Sequence, residues 1–235
     1  MLAALLLALP LLPTPSTDTE VRLAVYLSHA AWFATVTAFA VVVSVAWRAP
    51  LVPLLGVVAA LLVLVVVLNL LDVDVASDLA KVAFGAAAGT AFVRAIERPW
   101  WLLPICLLVP IADAWSVFSD RGVTNAVVER AREEPAWLDW PTIATPIAGV
   151  PYEAFGRLGI VDVLFLALFV GAAVRWSLGV RRAAVALVLG LLATSVIVVE
   201  HVDVAIPALP LLCLAYLVAC GPGLAQDALL ASRRS

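Results

Sequence analysis

The chain has 235 residues, of which 65% are hydrophobic and only 13% are charged, and its formal net charge is −3. An ordinary soluble domain carries roughly 25% charged residues, so this chain has too few charges to cover a water-exposed surface. The net charge also argues against a nucleic-acid partner, because phosphate binding needs clustered Lys and Arg side chains.

Seven apolar segments are close to the roughly 18 to 20 residues that a helix needs to cross a bilayer. They are residues 22–47, 50–71, 79–96, 99–118, 157–178, 183–199 and 205–222. An eighth apolar segment, 2–13, is short and contains two prolines. We interpret it as a partial first span; a cleaved signal sequence is the alternative, although the segment has neither a basic start nor an Ala-x-Ala type site. The sequence therefore predicts an all-α, polytopic bundle of seven to eight transmembrane helices.

The short connections between these segments alternate in charge. Arginines occur at 48, 94 and 98, 175 to 182, and 233 and 234, whereas acidic residues occur at 72 to 78 and at 200 and 203. By the positive-inside rule the arginine-bearing connections and the C-terminus face the cytoplasm, which places the long loop 119–156 outside. Within that loop, Val123 to Glu134 reads as an amphipathic helix, and Trp137 and Trp140 follow it. We expect the loop to lie at the membrane interface rather than to form a soluble domain.

Several residues allow both a structural and a functional interpretation. Gly85 and Gly89 form a small-xxx-small face that lets neighbouring helices approach closely. The cysteines are interpreted as small buried side chains, since no CxxC or Cys/His spacing indicates a disulfide or metal site; they are Cys106, Cys213 and Cys220. His29 is expected to make a buried hydrogen bond rather than a catalytic contact.

Two acidic clusters have similar alternatives. Glu200, His201 and Asp203 imitate a metal or proton-relay site, but charges are expected at a helix boundary in any case. Asp72, Asp74 and Asp78 read as a solvated acidic loop, with cation binding as the alternative. No cofactor and no metal are expected.

Two acidic residues lie inside predicted spans, Asp113 in 99–118 and Asp162 in 157–178. Ionisable groups in a membrane are costly and mark function or a structural partner. The first of these helices should run outward and the second should return, and each carboxylate lies about five residues from the outer end of its helix, or roughly 7–8 Å below the same interface. Two carboxyl groups that meet in a poorly solvated site share one proton, and that state suits peptide hydrolysis without a metal.

The last predicted span begins with AIPALPLLCLAYL, and Pro207 and Pro210 fall in its first turns. Proline there leaves backbone carbonyls without helical partners and weakens the helix start. The sequence therefore predicts an irregular segment that can bind extended peptide backbone.

These residues resemble the presenilin and signal peptide peptidase family of intramembrane aspartyl proteases, in a divergent prokaryotic-type form. The family's motifs are Tyr-Asp, Gly-x-Gly-Asp and Pro-Ala-Leu in three spans, with one span between the second and third. The matching positions here are Asp113, then Gly159 and Asp162, then Pro207, Ala208 and Leu209. The resemblance covers about residues 99–222, which it marks as a catalytic-type core, with 1–98 as N-terminal helices of a single membrane domain, 1–235.

The resemblance implies an intramembrane aspartyl endopeptidase, a hydrolase that cleaves transmembrane helices or signal-peptide remnants. Asp113 and Asp162 would be catalytic, and the remaining motif residues would bind substrate. The partners would be membrane lipids and these substrates, in a multi-pass protein of a prokaryotic plasma membrane. Two positions depart from the motifs, because Ala112 replaces the tyrosine and Val161 replaces the second glycine; they bear on catalytic rate and cleavage preference. The orientation resembles the signal peptide peptidase branch.

Two other functions remain open. A presenilin-like protein without catalysis would bind membrane helices in the same cleft. A proton-coupled transporter would also place paired acids in a bundle, but it usually shows inverted repeats with broken helices in matching halves, and the sequence shows none.

Overall fold

A computed structural model of the protein describes residues 1–12, 14–15, 17–150, 156–200 and 206–232. Four residues singled out in the sequence, His201, Asp203, Arg233 and Arg234, and the end of segment 2–13 lie outside these ranges. Within them the helices are α1 Leu2–Ala8, α2 Asp18–Ser44, α3 Leu51–Leu70, α4 Asp74–Ala95, α5 Leu102–Phe118, α6 Val123–Glu133, α7 Ile160–Arg175, α8 Val180–Glu200 and α9 Leu209–Ser232. The all-α class and the helical bundle are therefore confirmed.

Within the described residues, five helical segments are long and apolar enough to cross a membrane, as expected of an integral membrane protein. They are Asp18–Arg48, Leu51–Leu70, Pro99–Ala131, Val180–Glu200 and Leu209–Ser232. The predicted spans 79–96 and 157–178 correspond to α4 and α7, which differ from the other five. Helix α4 contains four charged residues, and α7 has only 16 residues. At 1.5 Å per residue, α7 is about 24 Å long, shorter than the roughly 30 Å hydrocarbon core.

Helices α4 and α7 pack against each other at the centre of the bundle, where most of their side chains are buried. A methyl group added at Gly89 would lie 2.3 Å from the Leu164 carbonyl oxygen of α7. A methyl group added at Gly85 would lie 3.1 Å from Val163 Cβ. The prediction that these glycines allow close helix approach is therefore confirmed. By contrast, α3 buries only Leu54 and Val65, so its apolar surface is left to lipid.

The start of the second Asp-bearing element was predicted incorrectly. Residues Gly156–Gly159 form a strand, β2, that pairs antiparallel with β1, Thr142–Thr145, and α7 begins only at Ile160. Two glycines within four residues disfavour helix, and the backbone groups are satisfied by β1 instead. The preceding α6, Val123–Glu133, matches the predicted amphipathic helix to within one residue.

The acidic loop is only partly solvated. Asp72 and Asp74 are exposed, as predicted, but Asp78 is 1% exposed and lies 3.2 Å from Lys81 Nζ, itself 2% exposed. Asp78 Oδ2 also accepts a hydrogen bond from the Ala144 N–H at 2.9 Å. Asp78 therefore belongs to an ion pair that attaches β1 to α4, and the solvated interpretation is wrong for this residue.

Candidate functional site

A cavity of about 730 Å³ opens between α2, α5, α6, α7, α8 and the β-hairpin. All six predicted site residues line it: Asp113, Gly159, Asp162, Pro207, Ala208 and Leu209. The fold thus brings together residues from three separate stretches of the chain. Val127 and Val128 of α6 line the same cavity, so part of that helix's apolar stripe faces protein.

Asp113 lies five residues before the end of α5 at Phe118 and reaches the start of α9. Its Oδ2 accepts a hydrogen bond from the Leu209 N–H at 3.1 Å. Leu209 is the first residue of α9, and the first N–H groups of a helix have no partner within the helix. Pro207 and Ala208 precede α9 and are not helical, so the predicted irregular segment before this helix is confirmed. Asp113 therefore holds that segment beside α5.

Asp162 lies in the first turn of α7 and closes the N-terminus of its own helix. Its Oδ2 accepts a hydrogen bond from the Gly159 N–H at 3.1 Å. A methyl group at position 159 would lie 2.9 Å from this oxygen, so Gly159 allows the carboxylate its close approach to the backbone. Asp162 follows the helix start by two residues rather than the predicted five, because β2 occupies the residues before Ile160.

The two carboxylates face a common space. Both contribute to the wall of the same cavity. Each uses Oδ2 for a backbone N–H, and within the described part of the chain neither carboxyl group has a further hydrogen bond. Oδ1 of each can therefore interact with a bound molecule.

Among the described residues, no strand pairs with the outer edge of β2, which lies beside Asp162. The Ile160 N–H donates to the Pro141 carbonyl, which makes 141 and 160 a hydrogen-bonded pair of the antiparallel ladder. Because such pairs alternate with non-bonded ones, the backbone groups of Arg157 and Gly159 point away from β1. Arg157, Leu158 and Gly159 all line the cavity. This outer edge of β2 can accept an extended chain.

The two residues that depart from the motifs, Ala112 and Val161, also line the cavity. Ala112 replaces a large aromatic side chain with a methyl group beside Asp113. Val161 is 54% exposed, so most of its surface does not pack between α7 and a neighbouring helix. Both changes therefore alter the wall of the cavity and leave the helix packing around Asp162 intact.

The cavity wall also contains polar side chains that the sequence did not identify as site residues. His29 Nδ1 and Ser195 Oγ are 2.5 Å apart, which is the buried hydrogen bond expected for this histidine. Both side chains, and that of Thr145, line the cavity. The available signal was a histidine in one apolar segment and a serine in another, whose proximity no sequence pattern reveals.

In the described part of the chain, the remaining candidates give no second site. The three cysteines are free and buried, which confirms their interpretation as small core side chains. Among residues 1–12, 14–15, 17–150, 156–200 and 206–232, no group of three His, Cys, Asp or Glu side chains is arranged to hold a metal ion.

Comparison with known proteins adds no relative: no protein-family model and no curated protein matches the chain. The resemblance to the presenilin and signal peptide peptidase proteases depends on the motif residues alone.

Proposed function

We propose that this protein is an intramembrane aspartyl endopeptidase of the presenilin and signal peptide peptidase type. One observation carries the proposal: Asp113 of α5 and Asp162 of α7 both lie in the wall of one cavity. The proline-containing segment before α9 lines the same cavity, and Leu209 at the start of α9 donates a hydrogen bond to Asp113. The substrate is a transmembrane helix or a signal-peptide remnant that unwinds at this level of the membrane.

The chemistry requires the two carboxyl groups to share one proton. The ionised member accepts a proton from a water molecule as the water oxygen attacks the scissile carbonyl carbon, and the protonated member donates to the carbonyl oxygen. Collapse of the tetrahedral intermediate breaks the C–N bond, and the leaving nitrogen takes up a proton from a carboxyl group. Asp113 and Asp162 thus alternate as acid and base.

The free edge of β2 supports a specific placement of the substrate. An unwound peptide can add to this edge as a third strand, with main-chain hydrogen bonds to Arg157. Gly159, the next residue on this edge, donates its N–H to Asp162, so the free edge ends at the carboxylate. A peptide paired in this way passes beside the carboxylate with its backbone extended, which is the conformation that peptide-bond hydrolysis requires.

The proposal includes a topology of seven to eight spans with α4 and α7 among them, as in a presenilin-like fold. Charged residues are tolerated within spans when they are paired in the bundle interior, as Asp78 and Lys81 are. The C-terminus would face the cytoplasm of a prokaryotic cell, and the loop 119–156 would lie outside.

One observation favours a second function, a non-catalytic protein that binds membrane helices. Each carboxylate accepts a hydrogen bond at a helix N-terminus, which is a structural role that carboxylates fill in many proteins. In that case the aspartates would stabilise α7 and α9, and the cavity would bind a helix without cleaving it.

Substitution by asparagine separates the two functions. Asn retains an amide oxygen that can accept the same backbone hydrogen bond, but it cannot exchange a proton. We expect Asp113→Asn and Asp162→Asn to fold normally and to lose at least about a thousandfold in kcat/KM. The measurement is cleavage of a labelled transmembrane substrate by the purified protein reconstituted in lipid vesicles.

The matched control is Asp120→Asn, which makes the same change at an exposed loop position outside the cavity. It should retain wild-type cleavage. Cleavage that persists in both cavity variants would exclude the Asp pair. Substrate binding without cleavage in the wild-type protein would favour the non-catalytic function, and proton-driven solute uptake lost in the variants would favour a transporter.

A further inference from the structure

Helices α2, α4 and α7 end side by side, far from the hairpin. The starts of α4 and α7 adjoin β1 and β2, so their last residues lie toward the other end of the bundle. A methyl group added at Gly171 of α7 would lie 2.9 Å from Val93 Cγ2 of α4 and 3.7 Å from Cβ of Ser44, the last residue of α2. The three helix ends therefore meet at one place.

Each of these helix ends carries an arginine. Arg48 is the last residue of the 3-10 turn that follows α2, Arg94 lies in the last turn of α4, and Arg175 is the last residue of α7. The guanidinium carbons of Arg48 and Arg175 lie 5.8 Å and 5.3 Å from the centre of the Trp47 ring. We call Arg48, Arg94, Arg175 and Trp47 the arginine cluster.

Arg175 is fixed in this cluster by the end of the neighbouring helix. Its Nη1 donates hydrogen bonds to the carbonyl oxygens of Val93 and Ile96, and its guanidinium carbon also lies 4.6 Å from the centre of the Trp176 ring. Stacking on indole rings and bonding to carbonyl groups restrict the rotation of this side chain. Arg175 therefore holds a positive charge in place beside the exposed side chains of Arg48 and Arg94.

The charge at this end of the bundle is opposite in sign to that of the whole chain. Residues 45–50, 94–101 and 175–182 contain six arginines and one acidic residue, Glu97, whereas the net charge of the chain is −3. None of the three cluster arginines forms an ion pair with a described acidic side chain. Arginine presents a fork of N–H donors that matches phosphate oxygens, so a phosphate group complements the cluster.

The surroundings of the cluster favour a lipid over a soluble anion. Asp18–Arg48 is long and apolar enough to cross a membrane, so its end should lie at the interface, where tryptophan is enriched. Large apolar side chains just before the arginines are 72%, 57% and 55% exposed; they are Val42, Val45 and Phe92. These side chains can contact the acyl chains of a lipid whose headgroup reaches the cluster.

From this geometry we infer that the arginine cluster is a binding site for an anionic phospholipid, whose phosphate binds Arg48 and Arg94 beside the fixed charge of Arg175. The site selects lipids by net charge, because a zwitterionic lipid carries its own ammonium group next to the phosphate. The inference is independent of the proposed protease activity, since the bound lipid would join the ends of α2, α4 and α7 whether or not a peptide is cleaved.

The test compares two phospholipids with identical acyl chains, anionic phosphatidylglycerol and zwitterionic phosphatidylcholine. The full-length protein in detergent micelles is titrated with each lipid, and native mass spectrometry gives the occupancy and the Kd. We expect phosphatidylglycerol to bind at least about tenfold more tightly and to saturate at one molecule. An arginine near a membrane surface contributes about fivefold, so Arg48→Gln and Arg94→Gln should each reduce the preference by that factor.

Arg121→Gln is the matched control. It removes the same charge from an exposed position in the loop after α5, outside the cluster, and should retain the wild-type preference. Arg48→Lys keeps the charge but lacks the fork of donors, so its preference should lie between those of the wild type and Arg48→Gln. Thermal denaturation in the same micelles checks that each variant is folded.

Several outcomes would overturn the inference. Equal Kd values for the two lipids in the wild-type protein would do so, as would a preference that survives in both Arg48→Gln and Arg94→Gln. An equal loss in Arg121→Gln would show that the attraction follows the total charge of the protein. Glycerol phosphate that competes as well as the lipid would replace the lipid site with a soluble-phosphate site. Cleavage is not measured here, so the protease proposal stands or fails separately, with Asp113→Asn and Asp162→Asn.

Discussion

Asp78 and Lys81 form an ion pair in the interior of the bundle that also positions the hairpin. Lys81 Nζ donates to the carbonyl oxygen of Asp139, and Asp78 accepts from the N–H of Ala144, so α4 contacts the chain on both sides of β1's start. Because β2 pairs with β1 and leads directly into Asp162, these two buried charges are linked to the proposed catalytic level through the hairpin.

Removing one member of this ion pair should destabilise the folded protein. Lys81→Met removes the ammonium group 3.2 Å from the buried Asp78 carboxylate, and we expect a loss of about 3 kcal/mol in the free energy of unfolding. Adding Asp78→Asn should recover part of this loss, since Asn is neutral and still accepts from Ala144. Thermal denaturation in detergent micelles measures the difference.

The exposed pair between Arg157 and Asp139, 2.6 Å apart, provides the comparison. The change Asp139→Asn should cost less than about 1 kcal/mol, because both side chains of this pair are partly solvated. The double variant should be more stable than Lys81→Met alone. If it is less stable, Asp78 is not the charge that Lys81 stabilises.

At the scale of elements, the contact between α4 and α7 decides where Asp162 lies. The Gly89 Cα faces the backbone of α7 near Leu164, and there is no room for a side chain between the two helices. Helix α7 is largely buried, so it cannot move toward solvent or lipid without separating from several neighbours. The position of the carboxylate therefore depends on a glycine of another helix.

We expect Gly89→Ala to destabilise the protein by about 1–3 kcal/mol, because the added methyl group overpacks the interface and forces α4 and α7 apart. Cleavage should fall with it, since α7 carries Asp162. Gly56→Ala is the matched control: a methyl group there meets nothing within 4 Å, and alanine favours the helix. Equal stability and activity of the two variants would show that the close contact has no role.

For the whole molecule, the number of spans determines on which side of the membrane the two ends of the core lie. In the part of the chain that the structure describes, five segments are long and apolar enough to cross, whereas α7 is short and enclosed by other helices. Between the loop after α5 and the end of α9 there are three helices, α7, α8 and α9. If all three cross, the loop and the C-terminus face opposite sides; if α7 does not cross, they face the same side.

Thiol labelling distinguishes these topologies. We expect Asp120→Cys to react with a membrane-impermeant reagent in intact cells, and Ser232→Cys to react only after permeabilisation. The three native cysteines are buried, so the parent chain should label weakly and serve as the background. Labelling of both positions from one side would exclude a crossing by α7 and would reverse our proposal for the C-terminus or the loop.

The sequence by itself determined the helical class, the location of the helices and the residues that could carry chemistry. These follow from local properties: runs of apolar residues predict helices, Gly85 and Gly89 predict a close contact, and carboxylates within apolar segments are too costly to be incidental. Each of these signals is contained within one segment of the chain.

The tertiary structure alone decided three features that the sequence misrepresented or left open. Gly156–Gly159 became a strand because its partner lies 14 residues earlier, at Thr142–Thr145, and supplies the hydrogen bonds that a local helix would have made. Asp78 became buried because Lys81 and Ala144 satisfy it, and His29 acquired Ser195 from a helix far along the chain. In each case at least one partner is distant in sequence, as Ala144 is from Asp78, and apolar periodicity cannot identify it.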